Sequence, residues 1–398
     1  MDPTPTSDHG VPVYNGDFWS DATLLDPYPV YRELRAAGPA VWLEQHGAWA
    51  LTRHKVVRAA LREGELFSSA QGVALNDPSN AGAAGTMLCS DDPLHRKLRI
   101  VFTRPLMPAA LKRLQERLTA LVKKRVEELV RRKRFDAVSD LAHFLPLTVV
   151  TELVGLSEEG KSQMLRWAAG MFDSMGPITH ERTVRGLEIT MEAIGYIMNL
   201  SREELDPDGW GAALFAAADE GKITPVQAQT MLLDYLAPAL DTTINASSSA
   251  IWLFAQHPDQ WSKLRHNPAL VSAAIDEVLR LESPIRAFSR YVTRDHIIGE
   301  AHLRAGDRAM MLYACANRDE RRYPDPDRFD IGRDARDHLG FGHGTHICAG
   351  MHLARMEVTL LLEALMNQVE SFTLLEAERN PHNTLRGLAR LIVEIEQT

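Results

Sequence analysis

One stretch decides how this chain folds: Phe341-Gly342-His343-Gly344-Thr345-His346-Ile347-Cys348-Ala349-Gly350. A long amphipathic helix is predicted directly after it, so Cys348 meets the free N–H groups and the positive dipole of a helix start, which favour a thiolate. Gly342, Gly344 and Gly350 would let the backbone approach a flat ligand, and Phe341 would screen the sulfur from water. Because a thiolate is an axial ligand of haem iron, the stretch predicts a haem site with Cys348 bound to the metal.

The composition is that of a globular protein. Of the 398 residues, 45% are apolar and 24% charged, and the formal net charge of −9 argues against a general nucleic-acid binder. Cys89, Cys315 and Cys348 are too scattered for a disulfide framework and fit a reducing cytoplasm. No stretch is apolar enough to span a membrane, and the polar start does not have the pattern of a signal peptide. We expect residues 1–14 to form a loose arm before one domain at 15–398.

Apolar periodicity indicates a mainly α fold with small peripheral β-sheets. Helices are predicted over residues 31–37, 111–132, 141–154, 158–172, 181–204, 225–255, 268–281 and 350–370. Short strands are predicted over residues 40–43, 48–52, 287–292, 296–298, 308–312 and 391–395. This order does not have the regular strand–helix alternation of a dinucleotide-binding fold.

Two further motifs accompany the cysteine stretch. Glu277-Val-Leu-Arg280 lies about 70 residues before Cys348, and Pro326-Asp327-Arg328-Phe329 lies between them. Together, from Asp26 to Ile395, the chain resembles the cytochrome P450 family, in its soluble bacterial type. The resemblance implies a single haem-binding domain, haem b as the cofactor, and a structural triad of Glu277, Arg280 and Arg328.

His95 and Arg99 follow Asp92-Pro93 at the start of a predicted helix, where the i,i+4 spacing places them on one face. Two donors on one face suit a carboxylate. The resemblance implies that they hold a haem propionate, and it assigns Arg290 and His346 to the same task.

The predicted helix 225–255 carries Ala239-Leu240-Asp241-Thr242 at its middle. Splitting O2 requires protons, which a hydroxyl can position and a carboxylate can relay. By resemblance, Asp241 and Thr242 are the catalytic acid–alcohol pair. Pro238 departs from the family pattern, and we predict that it increases the bend of this helix and leaves the Asp234 carbonyl without its helical donor.

By resemblance, the substrate pocket is built from several separate segments. The expected substrate-binding residues are Gln71, Leu75, Phe172, Met175, Ala239, Ile285, Phe288 and Leu388. Most are apolar, which favours a small apolar or aromatic substrate. The chain looks most like the branch that O-demethylates aryl acids, yet Gln71 stands where that branch carries a carboxylate-binding arginine. Because an unpaired buried carboxylate is costly, a neutral methoxy- or alkyl-substituted phenol is favoured over a benzoate.

Three functions are compatible with these features. The first is a monooxygenase acting on a small molecule, with electrons from a ferredoxin and its ferredoxin reductase and with no nucleic-acid or membrane partner. Basic residues expected around Cys348 would suit an acidic ferredoxin: Arg96, Lys97, Arg104, His343 and Arg355. The second is a peroxide-driven haem-thiolate peroxygenase, or an isomerase, that needs no electron partner; the intact Asp241-Thr242 pair argues against it. The third is a non-catalytic haem-binding protein.

Overall fold

The computed structural model describes residues 11–154 and 158–398. Within these ranges the helices are α1 (Asp21–Leu25), α2 (Tyr28–Ala37), α3 (His54–Ala60), α4 (Asp77–Gly82), α5 (Leu94–Thr103), α6 (Pro108–Arg132), α7 (Phe144–Val154), α8 (Glu158–Asp173), α9 (Glu181–Asn199), α10 (Trp210–Asp219), α11 (Pro225–Gln256), α12 (Pro258–His266), α13 (Val271–Leu281), α14 (Tyr313–Ala316) and α15 (Met351–Met366). The strands are β1 (Val13–Tyr14), β2 (Ala40–Leu43), β3 (Ala48–Leu51), β4 (Phe67–Ser68), β5 (Arg134–Asp136), β6 (Phe288–Val292), β7 (His296–Ile298), β8 (Ala301–Leu303), β9 (Arg308–Met311), β10 (Val369–Glu378) and β11 (Arg390–Gln397).

Helix α11 runs through the centre of the molecule. It starts with a capping box, in which the Thr224 hydroxyl accepts from the Gln227 N–H and the Gln227 side chain accepts from the Thr224 N–H. Helices α7, α8, α10 and α15 all pack against it, which explains why it is apolar on most of its circumference. The helix continues without interruption through Pro238. Proline has no N–H, so the Asp234 carbonyl lacks its usual helical donor there.

Three sheets lie at the periphery of this helical core. The largest has the strand order β1-β2-β3-β9-β6-β4, the second β10-β11-β5, and β7 and β8 form a hairpin. The six-stranded sheet has a small apolar cluster on each of its two sides, whereas the main core lies among the helices. The prediction of a mainly α fold with small peripheral sheets is confirmed. No helix within the described ranges is long and apolar enough to cross a membrane.

The prediction of a loose arm over residues 1–14 is wrong where it can be compared with the structure. Residues 1–10 lie outside the described ranges. Val11 and Val13 are buried, and β1 pairs in parallel with β2, with Val13 opposite Trp42. Two apolar side chains and the backbone hydrogen bonds of the sheet edge hold this segment in place.

Candidate active site

The cysteine loop is shaped by its glycines. Gly342 and Gly344 have φ angles of +69° and +72°, which disfavour any other residue. A Cβ atom on Gly344 would also lie 2.3 Å from the carbonyl oxygen of Leu61. The Cys348 N–H donates to the Phe341 carbonyl at 2.8 Å, and α15 begins three residues later at Met351. As predicted, the loop presents Cys348 just before a helix start.

The pKa of Cys348 is subject to opposing effects, of which the sequence indicates only those that lower it. Burial raises the pKa of the Cys348 thiol, whereas a hydrogen bond from the Gly350 backbone and the nearby Arg99 act in the opposite direction. The helix start by itself therefore does not produce a free thiolate. A bound metal cation would, because coordination displaces the thiol proton.

Cys348 lines a large cavity between the loop and α11. The space between its walls is about 1490 Å³, its mouth included. Phe341 and Gly350 line it on the side of the loop, and Thr242 lines it from α11. The Phe341 ring lies under the Arg355 guanidinium, 5.2 Å from it, which fixes the ring beside the cysteine.

The four residues expected to hold propionates all line this same cavity. The rings of His95 and His346 lie 4.1 Å apart, and Arg99 donates to the Ile347 carbonyl at 2.6 Å. Arg290 donates to the Ser289 carbonyl at 2.8 Å and keeps further donors. The buried Nε2 of His95 has no hydrogen-bond partner among the described residues, and its Nδ1 is 3.5 Å from the Asp92 carboxylate.

Burial and neighbouring positive charges disfavour the protonated form of these histidines. Burial, with Arg290 and other cations, lowers the pKa of His346 to about 3. Burial, followed by Arg99, also lowers the pKa of His95. Ligand carboxylates would supply the missing charge and the missing acceptors. With the sulfur on the same cavity, this donor set fits a haem with its two propionates.

The acid–alcohol pair is divided between the cavity and the protein interior. The Thr242 hydroxyl, on the cavity wall, donates to the Pro238 carbonyl at 2.6 Å. Asp241 does not line the cavity, and its buried Oδ2 has no partner among the described residues. Burial, together with Asp173, raises the pKa of Asp241 to about 7. Its carboxyl can therefore gain and lose a proton near neutral pH.

Half of the expected substrate residues line the cavity, namely Phe172, Ala239, Ile285 and Phe288. Gln71, Leu75, Met175 and Leu388 are not among the residues that line it. Gln71 is exposed, with its carbonyl bound to Arg308. The Leu75 N–H donates to the Met175 carbonyl, Leu75 packs in a core cluster beside the sheet, and Met175 lines a separate small cavity. Leu388 is buried in the helical core.

The sequence also missed residues that do line the cavity. Apolar examples are Met87, Leu88, Phe102, Leu106 and Trp210. Asp234 is the unexpected acidic residue of the lining. A signal was available, because Asp234 interrupts an apolar run of α11 eight residues before Thr242.

The structural triad also differs from expectation. Arg280 bonds to Glu277 as predicted, but the third side chain is Arg333, whose Nε donates to Glu277 at 3.1 Å. Arg328 contributes only its carbonyl, to Arg280. The chain turns between these two arginines, so the later one reaches the carboxylate.

A mainly helical fold in which a cysteine just before a helix start lines one cavity together with histidine and arginine side chains indicates the class of haem-thiolate proteins. Comparison with known proteins gives the same answer. The profile of the Cytochrome P450 family matches residues 177–396. The cytochrome P450 CYP199A2 of Rhodopseudomonas palustris is 35% identical over 98% of this chain and 97% of its own length. The chain belongs to the cytochrome P450 family.

Further relatives agree over nearly the whole chain. Linalool 8-monooxygenase of Pseudomonas putida is 29% identical over 92% of this chain and 95% of its own. Among solved structures, P450BioI in complex with an acyl carrier protein has a TM-score of 0.85 at 27% identity, over 94% of this chain and 99% of its own. The cytochrome P450 CREJ in complex with (4-ethylphenyl) dihydrogen phosphate has a TM-score of 0.83 at 26% identity, over 98% and 100%. The protein is a haem-binding monooxygenase, an oxidoreductase.

Proposed function

We propose that this cytochrome P450 inserts one oxygen atom from O2 into a small, neutral aromatic substrate, by hydroxylation or by O-demethylation of a methoxy- or alkyl-substituted phenol. The proposal includes haem b as the cofactor and the cytoplasm as the location. One observation carries it: the cavity that joins Cys348 to Thr242 has aromatic and aliphatic walls, with Phe172, Ile285 and Phe288 among them.

The side chains divide the work as follows. Cys348 would bind the iron, and His95, Arg99, Arg290 and His346 would hold the propionates. When bound, a thiolate-ligated haem supplies the activation of dioxygen. Thr242 Oγ1 would orient a water at the cavity wall, and Asp241 would pass protons to that wall from the interior, a role that its raised pKa supports.

The arginines of the lining argue against an anionic substrate. They are Arg99 and Arg290, assigned to the propionates, and Arg355, which is paired with Asp276. No further arginine or lysine lines the described cavity to hold a benzoate carboxylate. The ligand of CREJ also has a single para-alkylated ring, which in that complex carries a phosphate.

For a methoxyarene the reaction balances with two electrons. The ether ArOCH3 takes up O2, two electrons and two protons, and one oxygen enters a C–H bond of the methyl group. The resulting hemiacetal releases ArOH and formaldehyde, and the second oxygen leaves as water. A ferredoxin, reduced by a ferredoxin reductase, is the proposed source of the electrons.

The proposed ferredoxin surface lies on the outer side of the cysteine loop. His343 and Arg355 border a depression there, together with Arg58, Arg322 and Arg336. Arg322 and Arg336 are paired with Asp337 and Asp334, so acidic groups moderate the positive charge. Arg96, Lys97 and Arg104 are exposed on and just after α5. A net acidic chain that concentrates cations near its cysteine suits a small acidic partner.

Turnover experiments test the proposal. A panel of substituted phenols and benzoates is supplied with NADH, ferredoxin and ferredoxin reductase, or with hydrogen peroxide alone, and products and formaldehyde are measured. We expect product only with the electron-transfer proteins. Product with peroxide alone at an equal rate would establish the peroxygenase instead. A haem-loaded protein that binds and converts no member of the panel would exclude the proposed substrate class.

A further inference from the structure

Asp234 is the one carboxyl group that lines the described cavity. Neither the proposed haem binding nor the proposed proton delivery uses it. It lies on the same face of α11 as Pro238 and Thr242, each four residues apart. The residue is only partly buried and contributes to the wall of the cavity.

The Asp234 carboxyl is left short of hydrogen-bond donors in the part of the chain that the structure describes. Its buried Oδ2 has no hydrogen-bond donor among the described residues. Burial alone raises the pKa of Asp234 to about 7, and no cation counteracts this effect. Burial raises the pKa of Cys89 and of Tyr235, and the charge of the nearby Asp234 carboxyl acts in the same direction on both groups.

The neighbouring polar groups are already occupied. The Tyr235 hydroxyl donates to the Phe102 carbonyl at 2.7 Å, while its ring stacks on Phe102 and lies 5.2 Å from Trp210. The Thr242 hydroxyl donates to Pro238. Asp234 therefore offers an unused acceptor to whatever fills an otherwise apolar part of the cavity. An unmet buried acceptor costs stability, and a ligand donor would remove that cost.

The position of Asp234 along the helix limits the size of the ligand. Eight residues separate it from Thr242, which corresponds to about 12 Å along the helix axis. The two side chains occupy part of this length, so the remainder suits one substituted aromatic ring. The donor would then lie at one end of the ring and the oxidised carbon at the other.

We propose that Asp234 determines substrate specificity by accepting a hydrogen bond from an O–H or N–H donor at the end of the ring opposite to the oxidised carbon. This inference rests on the proposed function and narrows its substrate class to aromatic compounds that carry a hydroxyl or an amine. Asp234 would also weaken the binding of carboxylate ligands, because two carboxyl groups would meet without a cation between them.

The test uses four ligands on the haem-loaded protein that share a para-methyl ring: 4-methylphenol, 4-methylbenzylamine, 1,4-dimethylbenzene and 4-methylbenzoate. Dissociation constants are measured by the shift of the haem absorption band and by calorimetry. We expect the phenol or the amine, or both, to bind about tenfold more tightly than dimethylbenzene. The benzoate should bind more weakly than dimethylbenzene. Equal affinities for all four ligands, or tightest binding of the benzoate, would overturn the inference.

Two substitutions separate the roles of charge and acceptor. Asp234→Asn keeps an acceptor oxygen, so the phenol should lose no more than about threefold while an ammonium ligand loses about tenfold. Asp234→Leu should remove the preference over dimethylbenzene altogether, and its persistence would contradict the role of Asp234. Asp241→Asn is the matched control, because it changes a buried acid of the same helix outside the cavity lining. It should leave the ratios of the binding constants unchanged.

The carbon monoxide spectrum of the same samples distinguishes the two proposals. A missing thiolate band would defeat the proposed function. A normal band without any donor preference would defeat only the role of Asp234.

Discussion

Glu277 and Arg280 form an ion pair with two hydrogen bonds, of 2.7 and 2.9 Å, although neither side chain is exposed to solvent. Arg280 also donates to the carbonyls of Asn317 and Pro326, and Arg333 donates to Glu277. The pair thus ties α13 to the extended segment that precedes the cysteine loop. A buried pair of this kind is strongly destabilising when one partner is removed.

Replacement of this arginine should therefore cost much of the stability of the protein. Arg280→Lys loses the planar fork that meets both carboxylate oxygens, and we expect the free energy of unfolding to fall by about 3 kcal/mol. Urea denaturation of the haem-loaded protein measures this loss. Arg333→Lys is the control, and its loss should be about 1 kcal/mol because that side chain is 13% exposed. Equal losses for the two variants would contradict a special role for the inner pair.

The sulfur of Cys348 should determine the spectrum. In the reduced protein with carbon monoxide, we expect the strongly red-shifted band of thiolate ligation, and Cys348→Ala should abolish it. Circular dichroism should show that the variant keeps its helices, because the loop conformation depends on Gly342 and Gly344 and not on the sulfur. A red-shifted band in the alanine variant would exclude Cys348 as the ligand.

Arg99 and Arg96 lie on the same helix but have different surroundings. Arg99 lines the cavity, whereas the side chain of Arg96 is 76% exposed and paired with Asp92. Arg99→Ala removes a charge-assisted bond to a propionate, so haem should dissociate about tenfold faster. Transfer of haem to an acceptor protein measures the rate. Arg96→Ala should not change it, and similar rates for both variants would contradict the assignment of Arg99.

Asp241 should lower stability while it supports turnover. Its pKa is raised to about 7 in the folded protein from an ordinary value of 3.8. The folded protein therefore binds more protons between these values, so this carboxyl makes the protein less stable as pH rises through that window. At pH 8, Asp241→Asn should raise the Tm by about 2 °C or more and slow turnover.

Asp140 is a control for the direction of this change in Tm. Asp140 is paired with Arg132. Burial alone would raise the pKa of Asp140, but hydrogen bonds from the Arg132 side chain and the Asp136 N–H, together with the charges of Arg132 and Arg125, lower it. Asp140→Asn should lower the Tm at the same pH, because the stabilising carboxylate is lost. If Asp241→Asn instead lowers the Tm at pH 8, the buried carboxyl has a partner that the folded chain does not reveal.

The boundary of the substrate cavity can be tested by filling it. Ala239→Leu adds a branched side chain to the cavity wall, and we expect para-substituted phenols to bind about tenfold more weakly as their contacts are displaced. Gln71→Leu makes a similar change outside the cavity lining, so the affinity should stay the same. Spin-state titration measures both constants. A loss of affinity in the Gln71 variant would restore the original expectation for that residue.

The sequence by itself determined the cysteine loop, the central helix and the four histidine and arginine side chains that line the cavity. Some of these features depend on spacing within a few residues, such as His95 and Arg99 one helical turn apart. Others depend on glycines whose positive φ angles a particular loop conformation requires. Helix α15 ends at Met366 and not at residue 370, because the strand pairing of β10 with β11 overrides helical periodicity there.

Only the tertiary structure decided which side chains from distant segments meet. The side chain of Arg333, and not that of Arg328, bonds to Glu277. Four residues expected in the pocket do not line the cavity, namely Gln71, Leu75, Met175 and Leu388. Asp234 was visible as an acid in an apolar run, but its lack of a partner depends on the side chains packed around it, among which the Tyr235 hydroxyl donates to the Phe102 carbonyl. Such outcomes arise because the rotation of one segment against another is set by packing over the whole core, which local spacing does not record.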